Sequence, residues 1–272
     1  MDDAPSRQAD FLRQMFGLAG KSALVVDNGG NASSDIAIVL ARAGAHVTLV
    51  DRDAALIDPV LAEIAGSGGS AEGLVADVED EAGVTELFRT LDERDRGIDI
   101  FVSACGLTAN SPLESMTSTF WDQAHSSNLR CVFLCAREAV IRMVAAGRGG
   151  RVILISTIGA LHPTLHGNLA YGAARAGTLA MMRSIAFDFA EHGIRANAIL
   201  PGPFPGKVRF HADTLERMQA GPLTGPGSEP GRRPFGWGDP ADIGASVAYL
   251  AGPSGGFISG QALALDGGYA VS

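Results

Sequence analysis

The sequence predicts an α/β fold, a doubly wound parallel sheet with helices on both faces. Two observations carry this. Short, largely apolar runs recur at 23–26, 47–50, 98–103, 152–155 and 196–200, as strands buried on both faces require, and segments of helical character separate most of them. A chain of 272 residues, 46% hydrophobic and 19% charged, is long enough for one such domain and its core.

Taken in order, residues 1–17 are polar with Phe11, Leu12, Met15 and Phe16 at helical spacing, an amphipathic arm expected to dock on the body or on a neighbouring subunit. Residues 18–272 form the domain. A strand at 23–26, a helix at 36–43 ending at Gly44 and a strand at 47–50 make the first βαβ unit. The alternation continues through a strand at 73–76, a polar helix at 79–95, a strand at 98–103, a long helix around 121–144 and a strand at 152–155. A helix at 169–191 leads to a strand at 196–200, and a last helix from Ala241 precedes a last strand at 262–265. The Gly- and Pro-rich stretch 201–239 is too long for a passive connection and is expected to be a lid over the crevice at the strand ends.

Composition excludes several function classes. A net charge of -9 without a basic stripe argues against nucleic acid and leaves a small molecule or another protein as partner. Cys105, Cys131 and Cys135 are too few and too far from a histidine cluster for a disulfide framework or a zinc site, so they are expected to be reduced, buried thiols. No apolar run reaches the roughly 18 residues of a membrane span, and the acidic N-terminus lacks a signal-peptide n-region, so a cytoplasmic location is the expectation. His162 and His166 stand four apart, but Pro163 lies between them and no third ligand is evident, which favours a polar pocket wall over a metal. Met181 and Met182 are expected in the core, and Arg232 and Arg233 in the lid as solvated cations.

The motifs LVVDNGGNAS (24–33), VDRD (50–53), ADV (76–78), Asn128, IST (155–157), YGAAR (171–175), RANA (195–198), Pro201 with Gly202, and LDGG (265–268) follow one another in the order and spacing of the short-chain dehydrogenase/reductase family, which residues 18–272 resemble. The resemblance implies a single Rossmann-type domain and a nicotinamide cofactor, NAD, across the sheet edge. It also implies Tyr171 as general acid/base and Asn128 on a water relay, with Ser156 or Thr157 orienting the substrate oxygen. The family lysine is replaced by Arg175, one helical turn from Tyr171, where a guanidinium can stabilise a tyrosinate but cannot release a proton.

The expected cofactor positions depart from the family pattern. Its three loop glycines fall on Asp27, Asn31 and Ser33, while Gly29 and Gly30 occupy variable positions. A carboxylate about 4 Å from a phosphate charge, at an effective dielectric near 20, is repelled by about 4 kcal/mol, roughly a thousandfold in affinity. Of the family's N-N-A-G motif only Gly106 remains, in Ser103-Ala-Cys-Gly106, whereas Asp51 stands where an acid binds a ribose hydroxyl and Asp77 follows the third strand. The expectation is therefore a subunit of an oxidoreductase acting on a secondary alcohol or hydroxyacyl group, with its own dinucleotide site impaired and an intact homologous subunit, or a second copy of itself, as partner. An active NAD-dependent alcohol dehydrogenase or ketoreductase using Tyr171 and Arg175 is one alternative. A non-redox lyase resembling halohydrin dehalogenases, on the strength of Y-x-x-x-R, is the other. Apolar residues on more than one face of the helices around 121–144 and 169–191, including Phe133, Ile141, Ile185, Phe187 and Phe189, point to an oligomer.

Overall fold

A computed structural model describes residues 4–29, 32–205 and 209–272. Seven strands, β1 (Ser22–Val26), β2 (His46–Asp51), β3 (Ser70–Val75), β4 (Ile100–Ser103), β5 (Gly150–Ile155), β6 (Ile194–Pro201) and β7 (Ala262–Leu265), form one sheet in the order β3-β2-β1-β4-β5-β6-β7. Every pairing is parallel, with Val26 opposite Val50 on one side and Ser103 on the other. The strand order reverses direction between β1 and β4, so the C-terminal edge there opens a crevice suited to a ligand.

The continuous apolar runs are explained by the two layers they serve. Leu24, Val26, Phe101, Val152 and Leu154 face α4 (Glu81–Glu93), α6 (Cys131–Ala146) and α7 (Leu169–Asp188), in one core with Phe88, Leu91, Leu134, Met143 and Met182. Their neighbours Ala23, Val25, Ile100, Val102 and Ile153 face the other way, against α2 (Ser33–Arg42), α3 (Ala54–Gly66) and α9 (Pro240–Ala251). Successive side chains of one strand thus feed opposite cores.

The predicted elements are present, with three differences. Helix α3, capped by Asp53 accepting from the Ala55 N–H at 2.9 Å, stands where no helix is expected. Its internal Pro59, which removes a helical donor, hides it from periodicity. The long helix around 121–144 is two helices, α5 (Ser118–His125) and α6, joined by a π-helical turn at Ser126–Arg130. The 201–239 stretch, expected as a lid without elements, contains the helix α8 (Ala212–Ala220).

The arm is the helix α1 (Ala4–Phe16), held at its C-terminal end by the Ser254 hydroxyl donating to the Met15 carbonyl at 2.7 Å. Phe11 and Leu12 on it stay exposed. Leu134, Leu179 and Met182 are buried, whereas Phe133, Ile141 and Phe187 on the outer faces of α6 and α7 are not. All three cysteines are free and buried; contact with Cys131 and burial hold the Cys105 thiol well above the ordinary range, and burial does the same for Cys135. Among the described residues no helix is long and apolar enough to cross a membrane.

Because Phe88 is fully buried in the first core, Phe88→Ala should cost about 3–5 kcal/mol in urea unfolding. Phe257→Ala, at a fully exposed ring, should stay within about 0.5 kcal/mol.

Candidate active site

At the C-terminal edge of β4 and β5 lies a cleft of about 390 Å³. Gly106, Ser156, Thr157, Tyr171 and Arg175 line it together with Phe204 and Pro205 from the start of the 201–239 stretch. Helix α7 supplies the tyrosine and the arginine from adjacent turns, so the Arg175 guanidinium carbon sits 5.5 Å from the centre of the Tyr171 ring. The Tyr171 hydroxyl has no hydrogen-bond partner among the described residues.

Arg175 is buried, donates from Nη1 to the Cys105 carbonyl at 2.7 Å and leaves its Nε without an acceptor. Its Nη2 lies 2.7 Å from where a side-chain carbon on residue 106 would be. Glycine is the residue that lets the guanidinium pass.

The two candidate hydroxyls differ in what they have left to give. Ser156 donates to the Arg175 carbonyl at 3.1 Å and stands 3.2 Å from the Thr178 hydroxyl, both bonds tying it to α7. Thr157 accepts from the Gly159 N–H at 3.2 Å and keeps its own hydrogen for the cleft.

Asn128 does not line the cleft. It is fully buried in the π turn, accepts from the Leu107 N–H at 3.0 Å and donates to the carbonyls of Leu107 and Ala124, both at 2.9 Å. It thereby fixes the chain segment that forms one wall.

The predicted cofactor residues scatter. Asp27 is fully buried at the end of β1 and accepts from the Asn28 N–H at 2.7 Å, and Asp51, equally buried, accepts from the Arg52 N–H at 2.6 Å. Ser33 is buried in the first turn of α2, and Ala32 before it offers that helix no side-chain cap. Asp77 is exposed and accepts from the Glu79 N–H at 3.0 Å. None of these four lines the cleft; Asn31, with Gly30, lies outside the described residues. His162 and His166 are exposed and away from it, so they do not wall this cleft, although His166 borders a separate surface hollow with Asn110 and Arg217.

Three residues not singled out in the sequence build the floor beside the cleft. The buried Asn28 side chain accepts from the Gly106 N–H at 2.9 Å and donates to Glu79 and to the Ser127 carbonyl, each at 3.1 Å. Glu79 accepts from the Ser127 hydroxyl at 2.7 Å and from Arg209, whose Nη1 also reaches the Asn28 carbonyl at 2.8 Å. The Arg209 side chain lies against Gly29, its Cδ 2.6 Å from a side-chain carbon built there, at a φ of +146° that suits glycine. Residues 209–211 are held in this position by the Thr108 N–H donating to the Arg209 carbonyl at 2.8 Å and the His211 N–H donating to the Thr108 carbonyl at 2.9 Å.

Two carboxyls are shifted in opposite directions. Burial pushes Glu79 up, but Arg209 and the Ser127 hydroxyl outweigh it and hold it below the ordinary glutamate range. Asp35, in the first turn of α2 and lining the cleft, is raised by burial and by the neighbouring charges of Asp239 and Glu63, against the pull of its backbone hydrogen bond.

Sequence and structure comparisons find consistent relatives. The family described as Enoyl-(Acyl carrier protein) reductase matches residues 32–270. The chain is 29% identical to a rhamnolipids biosynthesis 3-oxoacyl-[acyl-carrier-protein] reductase of Pseudomonas aeruginosa, across 95% of this chain and 99% of that one. It is 30% identical to a gluconate 5-dehydrogenase of Gluconobacter oxydans, across 95% and 98%. A dehydrogenase/reductase structure from Sinorhizobium meliloti 1021 superposes with a TM-score of 0.82 at 31% identity, over 96% of this chain and 99% of that one. A short-chain type dehydrogenase/reductase from Mycobacterium marinum gives 0.84 at 26%, over 95% and 99%.

A depressed Glu79 stabilises the folded state above the ordinary glutamate value of 4.5, and that contribution is lost as the pH falls through its lower folded value. Arg209→Met should therefore lower stability at pH 7 by about 2 kcal/mol and flatten the acid limb of the stability profile. Urea unfolding from pH 7 to pH 3 measures both.

Proposed function

The chain belongs to the short-chain dehydrogenase/reductase family of oxidoreductases, and from that premise we propose that it is a supporting subunit of an assembly acting on a secondary alcohol or hydroxyacyl group, with its own dinucleotide site impaired. The observation that carries this reading is the Asn28–Glu79–Arg209 cluster lying across Gly29. In this fold a pyrophosphate seats on glycine amides at the N-terminus of the first helix after β1. Here an acidic side chain, Asp27, follows β1 and a second one, Asp35, stands in the first turn of α2, where a pyrophosphate would meet them. The residues present do not fit a dinucleotide, and no hydride-transfer step is assigned to this chain.

The cleft, which also reaches Ala32, Ser34 and Asp35 at the start of α2, retains the substrate-facing hydroxyls. Tyr171 presents a hydroxyl with no partner among the described residues, Thr157 a hydroxyl with its hydrogen uncommitted, and Arg175 a fixed positive charge beneath the tyrosine ring. The free Tyr171 hydroxyl also favours a second reading, an active NAD-dependent dehydrogenase in which Tyr171 takes the alcohol proton and Arg175 stabilises the tyrosinate. Calorimetry separates the two. The isolated chain should bind NAD or NADH with a dissociation constant weaker than about 1 mM, and the double variant Asp27→Gly, Arg209→Ala should bind more tightly. A wild-type constant below about 1 μM, about -8 kcal/mol, would restore the active reading.

The outer faces of α6 and α7 support association. Between them runs an apolar groove of about 220 Å³ lined by Phe133, Val140, Ile141, Met181, Ile185 and Phe189, beside the exposed Phe187. Native mass spectrometry on complexes taken from the source cells should find a second, homologous chain in equal amount. Complexes containing only copies of this chain would remove the supporting role.

A further inference from the structure

A guanidinium taken out of water is stable only when charges and acceptors meet it, and Arg175 lacks them. At 4% exposure it is as buried as the core, yet of its five N–H donors one is spent on the Cys105 carbonyl and its Nε has no acceptor. It forms no ion pair with any described carboxylate. Among the described residues the only other charged residue lining the cleft is Asp35, and the charges that perturb it are Asp239 and Glu63, not Arg175. Among the described residues no carboxylate is paired with the Arg175 charge.

Arg175 is also aimed. The opening over Gly106 lets its Nη2 approach the cleft wall, and its guanidinium carbon is 5.5 Å from the centre of the Tyr171 ring. A ligand reaching both groups would carry a carboxylate for the guanidinium and a second oxygen for the Tyr171 hydroxyl. We propose that this cleft binds a small oxo or hydroxy acid, its carboxylate on Arg175 and its second oxygen at the Tyr171 hydroxyl. This deepens the reading above by naming the ligand class of the same cleft, and it rests on that reading only for Tyr171 and Arg175 being the ligand-facing pair. A guanidinium suits the task better than a lysine would, because its planar fork matches both oxygens of a carboxylate.

The test is a ligand-observed NMR titration at pH 7 and low salt, without dinucleotide, using acetoacetate, its methyl ester, acetate and chloride. Acetoacetate should bind at least tenfold more tightly than the ester and than acetate, and chloride should not displace it at equal concentration. Arg175→Met should weaken acetoacetate by at least about thirtyfold, Arg175→Lys should keep part of the preference for acid over ester, and Arg183→Met, at an exposed arginine of the same helix, should change nothing. Absence of binding, equal affinity for acid and ester, equal affinity for acetate, displacement by chloride, or undiminished binding to a folded Arg175→Met protein would each overturn the proposal. If that variant does not fold, the comparison of acid with ester on the wild-type chain still decides. Tight NAD binding would remove the impaired-site reading and leave this titration untouched.

Discussion

The Asn28 side chain is the knot at the C-terminal edge of the sheet. Its carbonyl oxygen holds the Gly106 amide at the end of β4, and its amide group holds the Ser127 carbonyl in the π turn and the Glu79 carboxylate after β3. Three separate parts of the chain are thus fixed to the end of β1 by one buried amide, every bond of which replaces a hydrogen bond to water. Gly106 in turn sets where Arg175 passes, and Glu79 sets where Arg209 anchors. The shape of the cleft and the place of Arg209 beside it follow from the same residue.

The two arginines play opposite parts. Arg209 meets a carboxylate and the Asn28 carbonyl, so its charge is balanced within the protein and its side chain becomes a strut across Gly29. Arg175 donates to one peptide carbonyl, lies near the Tyr171 ring and has no paired carboxylate among the described residues. Fold alone would not distinguish a supporting subunit from an active relative, so the proposal rests on the side chains at the sheet edge.

Much of this was legible in the sequence, and the limits have physical causes. The strands were legible because both of their faces are buried, and Tyr171 with Arg175 because an i, i+4 pair on a helix shares a face. The carboxylate at Asp27 was visible as a departure from the glycine pattern. Helix α3 was hidden by Pro59, and the break in the long helix around 121–144 by the fact that a π turn barely alters apolar spacing. Arg209 could not be read at all, because its contact with Asn28 joins residues 181 apart and leaves no local periodicity. The choice between Ser156 and Thr157 also needed coordinates, since it depends on which hydroxyl hydrogen is already spent on α7.

The most direct measurement is a crystal structure of the chain grown with NAD at tens of millimolar. The account predicts Arg209 still bonded to Glu79 and lying across Gly29, with no dinucleotide along the edge of β1. An ordered pyrophosphate at the N-terminus of α2, with Arg209 swung away from Gly29, would contradict it.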